Sequence, residues 1–290
     1  MKSYFEIKGD GGSRILEQVE EQRAKIVRNM SGVRHMVALG SGKGGVGKST
    51  LTLQLAAALR AKGLEIAILD ADLNGPSQAR MAGVREALFV PGADGLTLPR
   101  TRDGIGVFSM GSLVPEKQSL DFESVSRGES YTWRATREFA LLGELLGILD
   151  WGRLDLLLVD LPPGAERTFQ YAEYLGPATG FVLVTIPSDL TRGIVARSAA
   201  ALAKTPNRLL GYIENMSGYY CSTCKSVKPL FPSSKTVDLG IPCLGSVPFD
   251  PELAAMCDDG VPITERPGSA SAKSLYAIAD RLVGTLEEEA

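Results

Sequence analysis

Short apolar runs recur along the chain, and most of them end at a glycine or an acid. They are His35-Met36-Val37-Ala38-Leu39, Glu65 to Leu69, Gly104 to Met110, Leu154-Asp155-Leu156-Leu157-Leu158-Val159-Asp160, Phe181 to Ile186, Leu209 to Glu214 and Ile241 to Pro248. Apolar runs with so little alternation predict strands buried on both faces. Between them the apolar period lengthens to that of a helix, at Leu51 to Leu59, Tyr131 through Leu149, a stretch around 191 to 203, and 270 to 288. Strands alternating with helices imply right-handed crossovers. The expected class is therefore α/β, a mostly parallel twisted sheet of about seven or eight strands with helices on both faces.

Ahead of this pattern, residues 1 to 12 read as a frayed start, and residues 14 to 30 place Ile15, Val19, Ile26 and Met30 near one helical face. Residues 1–30 are thus expected to form an extension whose helix lies on the domain or binds a partner, with residues 31–290 as one domain. The Gly, Pro and Arg-rich stretch 84 to 104 reads as an excursion or a short hairpin, and 111 to 130 as a long polar loop.

Composition narrows the partners. A chain of 290 residues with 44% hydrophobic and 22% charged residues is ordinary globular material, and a formal charge of −3 offers no global attraction to nucleic acid or anionic lipid. The start MKSYFEIKGDGG has no signal-like apolar run, and 18 consecutive apolar residues occur nowhere. A cytoplasmic protein is expected, with neither nucleic acid nor membrane as a partner. In such a compartment a C-x-x-C pair binds metal or does redox chemistry more readily than it forms a structural disulfide.

The first buried run leads into GSGKGGVGKST, Gly40 to Thr50, and a helix follows. Gly42 to Ser49 fits G-x-x-x-x-G-K-[ST], the P-loop. Gly42, Gly44, Gly45 and Gly47 let backbone N–H groups around Val46 face a phosphate, and the helix N-terminus at Thr50 adds its dipole. Lys48 is placed to reach the β- and γ-phosphates and Ser49 to ligate Mg²⁺. A second lysine, Lys43, gives KGGxGK[ST]. This resembles the deviant Walker A loop of the MinD/ParA/nitrogenase iron protein class, in which the extra lysine crosses a dimer interface to the partner's phosphates.

Acids end two of the buried runs. DADLNGPS, Asp70 to Ser77, follows one of them: Asp72 is the candidate for orienting the attacking water, with Asp70 nearer Mg²⁺, and either could instead be a turn former. Asp160 ends the Walker B run and can hold Mg²⁺ directly or through water. Asn215, just past Glu214, can donate and accept at once, which suits an adenine edge; loop capping is the alternative.

Cys221-Ser222-Thr223-Cys224 supplies two thiols, whereas a tetrahedral centre needs four. Two copies related by a two-fold axis would make one Cys₄ site, suited to zinc or an iron–sulfur cluster. A redox disulfide or incidental surface cysteines are the other readings. Cys243, Cys257 and the single histidine, His35, stand far from the pair in sequence and are weaker ligand candidates.

Taken in order, SGKGGVGKST, DADLNGPS, YTWRAT, LDLLLVDLPPG, ENMSGYYCSTC and VPFDP resemble the Mrp/ApbC family of iron–sulfur cluster carrier P-loop ATPases over about residues 30 to 285. The resemblance implies a homodimer that binds ATP or ADP through Gly42 to Thr50 and hydrolyses ATP, with Asp72 and Asp160 in the switches. It also implies a [4Fe–4S] cluster on the paired Cys221 and Cys224, in a dimer-interface loop near 215–232, passed on to apo iron–sulfur proteins. Zn²⁺ could take that site in aerobic preparations. Adenine contacts are implied for Asn215 and the Pro248 to Pro251 loop, including Asp250. The chain departs from the family where Ala165-Glu166-Arg167 replace Thr-Gly-Asp, where Ala135 follows Trp133-Arg134, and in a short N-terminus without cysteines. Slow hydrolysis is expected. The alternatives are a MinD/ParA-type positioning ATPase, disfavoured by the acidic end Glu287-Glu288-Glu289, and a zinc or nickel metallochaperone using the same cysteines.

Overall fold

The computed structural model describes residues 15–288 apart from 74, 86, 88, 93–94, 113–130, 222, 225 and 231–238. The first part of the chain forms α1 (Ile15–Met30), β1 (Val33–Ser41), α2 (Lys48–Arg60), β2 (Ile66–Asp70), α3 (Gln78–Met81), β3 (Val90–Pro91), β4 (Leu96–Thr97) and β5 (Gly106–Phe108). There follow α4 (Tyr131–Ile148), β6 (Leu149–Asp150), β7 (Leu154–Asp160), α5 (Ala165–Leu175), β8 (Thr179–Thr185) and α6 (Asp189–Leu202). The chain closes with β9 (Arg208–Cys221), β10 (Ser226–Lys228), β11 (Cys243–Phe249), α7 (Pro251–Asp258) and α8 (Ala270–Glu287).

The main sheet has eight strands in the order β10-β9-β8-β1-β7-β2-β5, with β11 also paired to β9, and only β10 runs antiparallel to its neighbour. Both faces are covered, which is why the runs read as continuously apolar. Leu156 and Leu158 of β7 pack into one core layer with α2 and α8, while Leu157 and Val159 pack into the other with α4, α5 and α6. Consecutive side chains point to opposite faces, so each layer takes alternate residues of the same strand. Helix α1 lies along α4, where Asn29 Nδ2 donates to Gly147 O at 2.7 Å. Among the described residues no helix is long and apolar enough to cross a membrane.

Several elements differ from the sequence expectation. The excursion does contain a hairpin, β3 with β4, and β4 pairs with β6, so the predicted helix stops at Ile148 and its last residue becomes strand. Helices α5 and α7 were not anticipated. The signal for α5 lay in Thr168, Tyr171, Ala172 and Leu175, spaced as one helical face, and that for α7 in Asp250-Pro251, an N-cap followed by proline. Strand β9 was expected to stop at Glu214 but runs on to Cys221, held by β11 as far as Tyr219 and by β10 beyond. The start expected at 1–12, and all but the first two residues of the loop expected at 111–130, lie outside the described residues.

Near its start β9 carries a register irregularity opposite Phe181 and Val182, and Gly211 there has φ 144°. A Cβ on Gly211 would stand 2.4 Å from Pro242 O, a backbone atom that cannot swing aside. Gly211→Ala should therefore destabilise the fold by about 2–4 kcal/mol, combining backbone strain with overpacking. Urea unfolding checks this through a lowered midpoint at unchanged slope; an unmoved midpoint would mean that the bulge tolerates a side chain.

Candidate functional site

The site forms where the central strands end. Leu39 is in register with Asp160, and Asp160 with Asp70, so the P-loop leaves the sheet beside two acids. Gly47 is the N-cap of α2 at φ 79° and has no side chain to satisfy the first turn, leaving those N–H groups to a ligand. A Cβ on Gly47 would meet Asn215 Nδ2 at 2.2 Å, so the rear of the loop is packed. The front is open, for a Cβ on Gly45 would meet nothing within 4 Å, and Gly44 only Pro163 at 3.9 Å. Gly42 rests on Ile194 of α6, Val46 is buried beneath the loop, and Thr50 sits in the first turn of α2. A phosphate fits this cradle.

Lys48 and Asp160 form a buried ion pair, with Lys48 only 7% exposed and Asp160 fully buried. Thr52 Oγ1 donates to Asp160 Oδ1 at 3.2 Å, and Gln78 Nε2 donates to Asp160 Oδ2 at 2.8 Å and to Ser49 O at 3.0 Å. Gln78 was missed in the sequence. It is fully buried, and its Oε1 has no partner among the described residues. Only its place one residue after DADLNGPS could have pointed to it.

Asp70 is also buried. Its Oδ2 accepts from Ser77 N and Gln78 N, both at 3.1 Å, and from Ser109 Oγ at 2.8 Å, and its Oδ1 from Asp72 N at 3.2 Å. Burial and the neighbouring Asp160 charge push its carboxyl up to about 7, against the pull of the Gln78 and Ser109 donors. Its oxygens are thus engaged in fixing the segment between β2 and α3. Asp72 is partly exposed at the start of that segment, and its Oδ1 accepts from Gly75 N at 3.1 Å. Lys43 is half-exposed and makes no ion pair among the described residues.

Asn215 is buried, and its Nδ2 donates to Val46 O at 2.9 Å, which ties β9 to the P-loop. Pro248 lies on β11. Asp250 is the N-cap of α7, where its oxygens accept from Glu252 N and Ser271 Oγ, both at 3.1 Å. Strand β9 and β10 form a hairpin whose tip carries the cysteines: Cys221 is half-exposed, Cys224 exposed, and neither is in a disulfide. Hydrogen bonds from the Cys224 backbone and thiol and the Thr223 backbone lower the Cys221 thiol to about 7, favouring the thiolate that binds metal. Cys243 is exposed on β11, and Cys257 is buried against Gln54 at 3.3 Å, so the fold brings neither to the pair. Among the described residues no group of three His, Cys, Asp or Glu side chains could hold a metal.

A parallel sheet with a two-lysine P-loop at its central strand and acids at the adjoining strand ends defines a P-loop NTPase. The model of the family described as "ParA: NUBPL iron-transfer P-loop NTPase" matches residues 32–283, and the chain belongs to that family. It is 31% identical over 280 residues to the iron-sulfur cluster carrier protein of Saccharolobus solfataricus, covering 94% of this chain and 91% of that one. It is 36% identical over 266 residues to the human cytosolic Fe-S cluster assembly factor NUBP2, covering 88% and 94%. The nucleotide-binding protein of Archaeoglobus fulgidus, solved in complex with ADP, superposes with a TM-score of 0.68 at 30% identity over 82% of this chain and 90% of that one. The cell division ATPase MinD of Pyrococcus furiosus shares the fold, with a TM-score of 0.61 at 19% identity over 89% and 100%.

Removing Asp160's charge would leave Lys48 buried without a partner, a loss of about 3–5 kcal/mol for a broken buried pair. Asp160→Asn should melt at lower temperature, and ADP without metal should restore more stability to it than it adds to the wild type, because phosphate supplies the missing charge. Melts with and without ADP decide the matter: equal gains in the two proteins would mean that Asp160 and phosphate do not share Lys48.

Proposed function

We propose that the chain acts as a homodimeric ATPase that carries a [4Fe–4S] cluster between its two copies and passes it to apo iron–sulfur proteins. The observation that carries this reading is the hairpin tip, where two unpaired, solvent-reaching thiols stand together with one biased towards thiolate. One copy supplies two sulfur ligands, and a two-fold axis through the tips would supply four, the donor set of a cluster. The names of the relatives support cluster over zinc as cargo, and the cytosolic placement named for NUBP2 fits a cytoplasmic protein.

In this reading Gly42 to Thr50 hold the phosphates of ATP, and Ser49 with Asp160 hold Mg²⁺, which would neutralise charge developing on the transferred phosphoryl group. Lys48 exchanges its carboxylate partner for phosphate when nucleotide enters. Asp72 orients the attacking water, while Asp70, with its oxygens already engaged, anchors that segment more than it ligates Mg²⁺. Lys43, without an ion-pair partner in its own chain among the described residues, is available to the nucleotide of the other copy. Asn215 and Pro248 line the adenine side, and Asp250 serves it by capping α7.

Anaerobic purification followed by iron, sulfide and zinc counts tests the cargo. The wild type should hold about four iron and four sulfide per dimer, and Cys221→Ser and Cys224→Ser should each lose them. Stoichiometric zinc without sulfide would favour a metallochaperone, and metal kept after both thiols are removed would sink the proposal. Separately, Lys43→Ala should lower kcat for ATP at least about tenfold while ADP affinity stays within about twofold, as expected for a cation acting on the transition state. Equal losses in both would place Lys43 in simple binding.

A further inference from the structure

The segment after Leu161-Pro162-Pro163-Gly164 carries Arg167 on the first turn of α5. It forms an ion pair with Glu138 of α4, with the two side chains 15% and 11% exposed. Its guanidinium also lies 5.9 Å from the Phe139 ring centroid and 5.6 Å from that of Tyr171, and Nη1 donates to Gln170 Oε1 at 3.1 Å. Tyr171, fully buried one turn further along α5, brings its hydroxyl 2.9 Å from Ala71 O and 2.8 Å from Glu138 Oε1.

Both of those neighbours are acceptors, and the hydroxyl has one proton. It can satisfy the carboxylate or the carbonyl, not both at once. Arg167 settles the competition, because a guanidinium on Glu138 Oε1 supplies that oxygen with a charged donor and frees the Tyr171 proton for Ala71 O. Ala71 is the residue between Asp70 and Asp72, and its own N–H donates to Asp160 O at 2.9 Å. Ala71 is therefore held through both of the peptide groups that flank it, and the second of these, whose carbonyl accepts from Tyr171, leads directly into Asp72. Burial and the Glu138 charge hold the Tyr171 phenol above its ordinary range, so it keeps this proton throughout the working range of pH.

We propose that Tyr171 is a positioning residue for ATP hydrolysis, holding the Ala71 carbonyl and thereby Asp72 in place, and that Arg167 controls it by competing for Glu138. The segment after Walker B is in this way linked to the segment after β2 through two side chains, although it lacks the hydroxyl and acid that usually follow Pro-Pro-Gly in the resembling family. If Arg167 leaves Glu138, the carboxylate draws the Tyr171 proton and Ala71 is released. The inference rests on Asp72 acting in hydrolysis.

The test uses the full chain, with steady-state ATP turnover, ADP affinity and melting temperature measured for each variant. Tyr171→Phe should lower kcat by about five- to twentyfold with KM and ADP affinity within about twofold, since phosphate contacts are untouched. Arg167→Gln should lower kcat similarly in the wild-type background and add no further loss in Glu138→Gln or Tyr171→Phe backgrounds, a non-additivity that packing damage alone would not give. Arg167→Lys should keep part of the rate. A Tyr171→Phe protein with wild-type kcat beside an inactive Asp72→Asn protein overturns the network alone; full turnover by Asp72→Asn overturns both it and the role given to Asp72. Additive losses for Arg167→Gln and Glu138→Gln also overturn it.

Discussion

A lysine buried beside two carboxylates at the end of a parallel sheet is the constraint on which the rest of this molecule turns. Lys48 is held by Asp160, and Asp160 by Thr52 and Gln78, while Asp70 one strand over is pushed towards its neutral form by burial and by the Asp160 charge. In a medium of low dielectric such a cluster is tolerable only when every charge has a partner, and breaking one member costs more than the pair contributes. On the function proposed above, a phosphate arriving at the open face of the loop would offer Lys48 an alternative partner, and the released Asp160 carboxylate would be free to help hold Mg²⁺.

Elements beyond the loop are anchored to it, so such an exchange would be felt there. Asn215 ties β9 to the carbonyl of Val46, and Met216 beside it is the one non-glycine residue with positive φ among the described residues, at 53°. From there the same strand continues without interruption to Cys221. The P-loop end and the thiol end of the molecule thus share one strand, paired to β11 at Asn215 and Tyr219 with a register shift between them and to β10 from Tyr219 to Cys221, and Tyr219 also contacts Phe249, with ring centroids 6.4 Å apart. A ligand at one end can bias the other only through a difference in affinity between two arrangements of that strand, and such a bias is reciprocal.

The segments that follow the two acidic strands are treated differently. The one after β2 is fastened by Asp70, which accepts from Ser77 and Gln78, and by the carbonyl of Ala71. The one after β7 is short, passes through two prolines, and is fastened by Gly164 N donating to Ser41 O at 2.8 Å before α5 begins. Aromatic packing of Phe139 on Tyr171 and Tyr174, with ring centroids 5.0 and 4.8 Å apart, then locks α4 to α5 and keeps Glu138 where both Arg167 and Tyr171 reach it.

By itself the sequence determined the class of fold, the loop that takes phosphate, the two acids beside it and the paired cysteines, because each of these is local: an uninterrupted apolar run, a glycine spacing, an acid at the end of a strand, two thiols three residues apart. It also places Ala165-Glu166-Arg167 where the resemblance noted from the sequence implies Thr-Gly-Asp. Only the tertiary structure decided what the long-range polar groups do. Asn215, which locally suits a base edge, donates an amide N–H to Val46 O, 169 residues away in sequence. Asp250 caps a helix, Gln78 reaches a carboxylate 82 residues on, and Arg167 meets a glutamate on another helix. A hydrogen bond between distant residues leaves no period and no spacing in the chain; it exists only because the sheet order places β1, β7 and β2 side by side and β9 alongside β8, and that order follows from how the apolar faces close over one another.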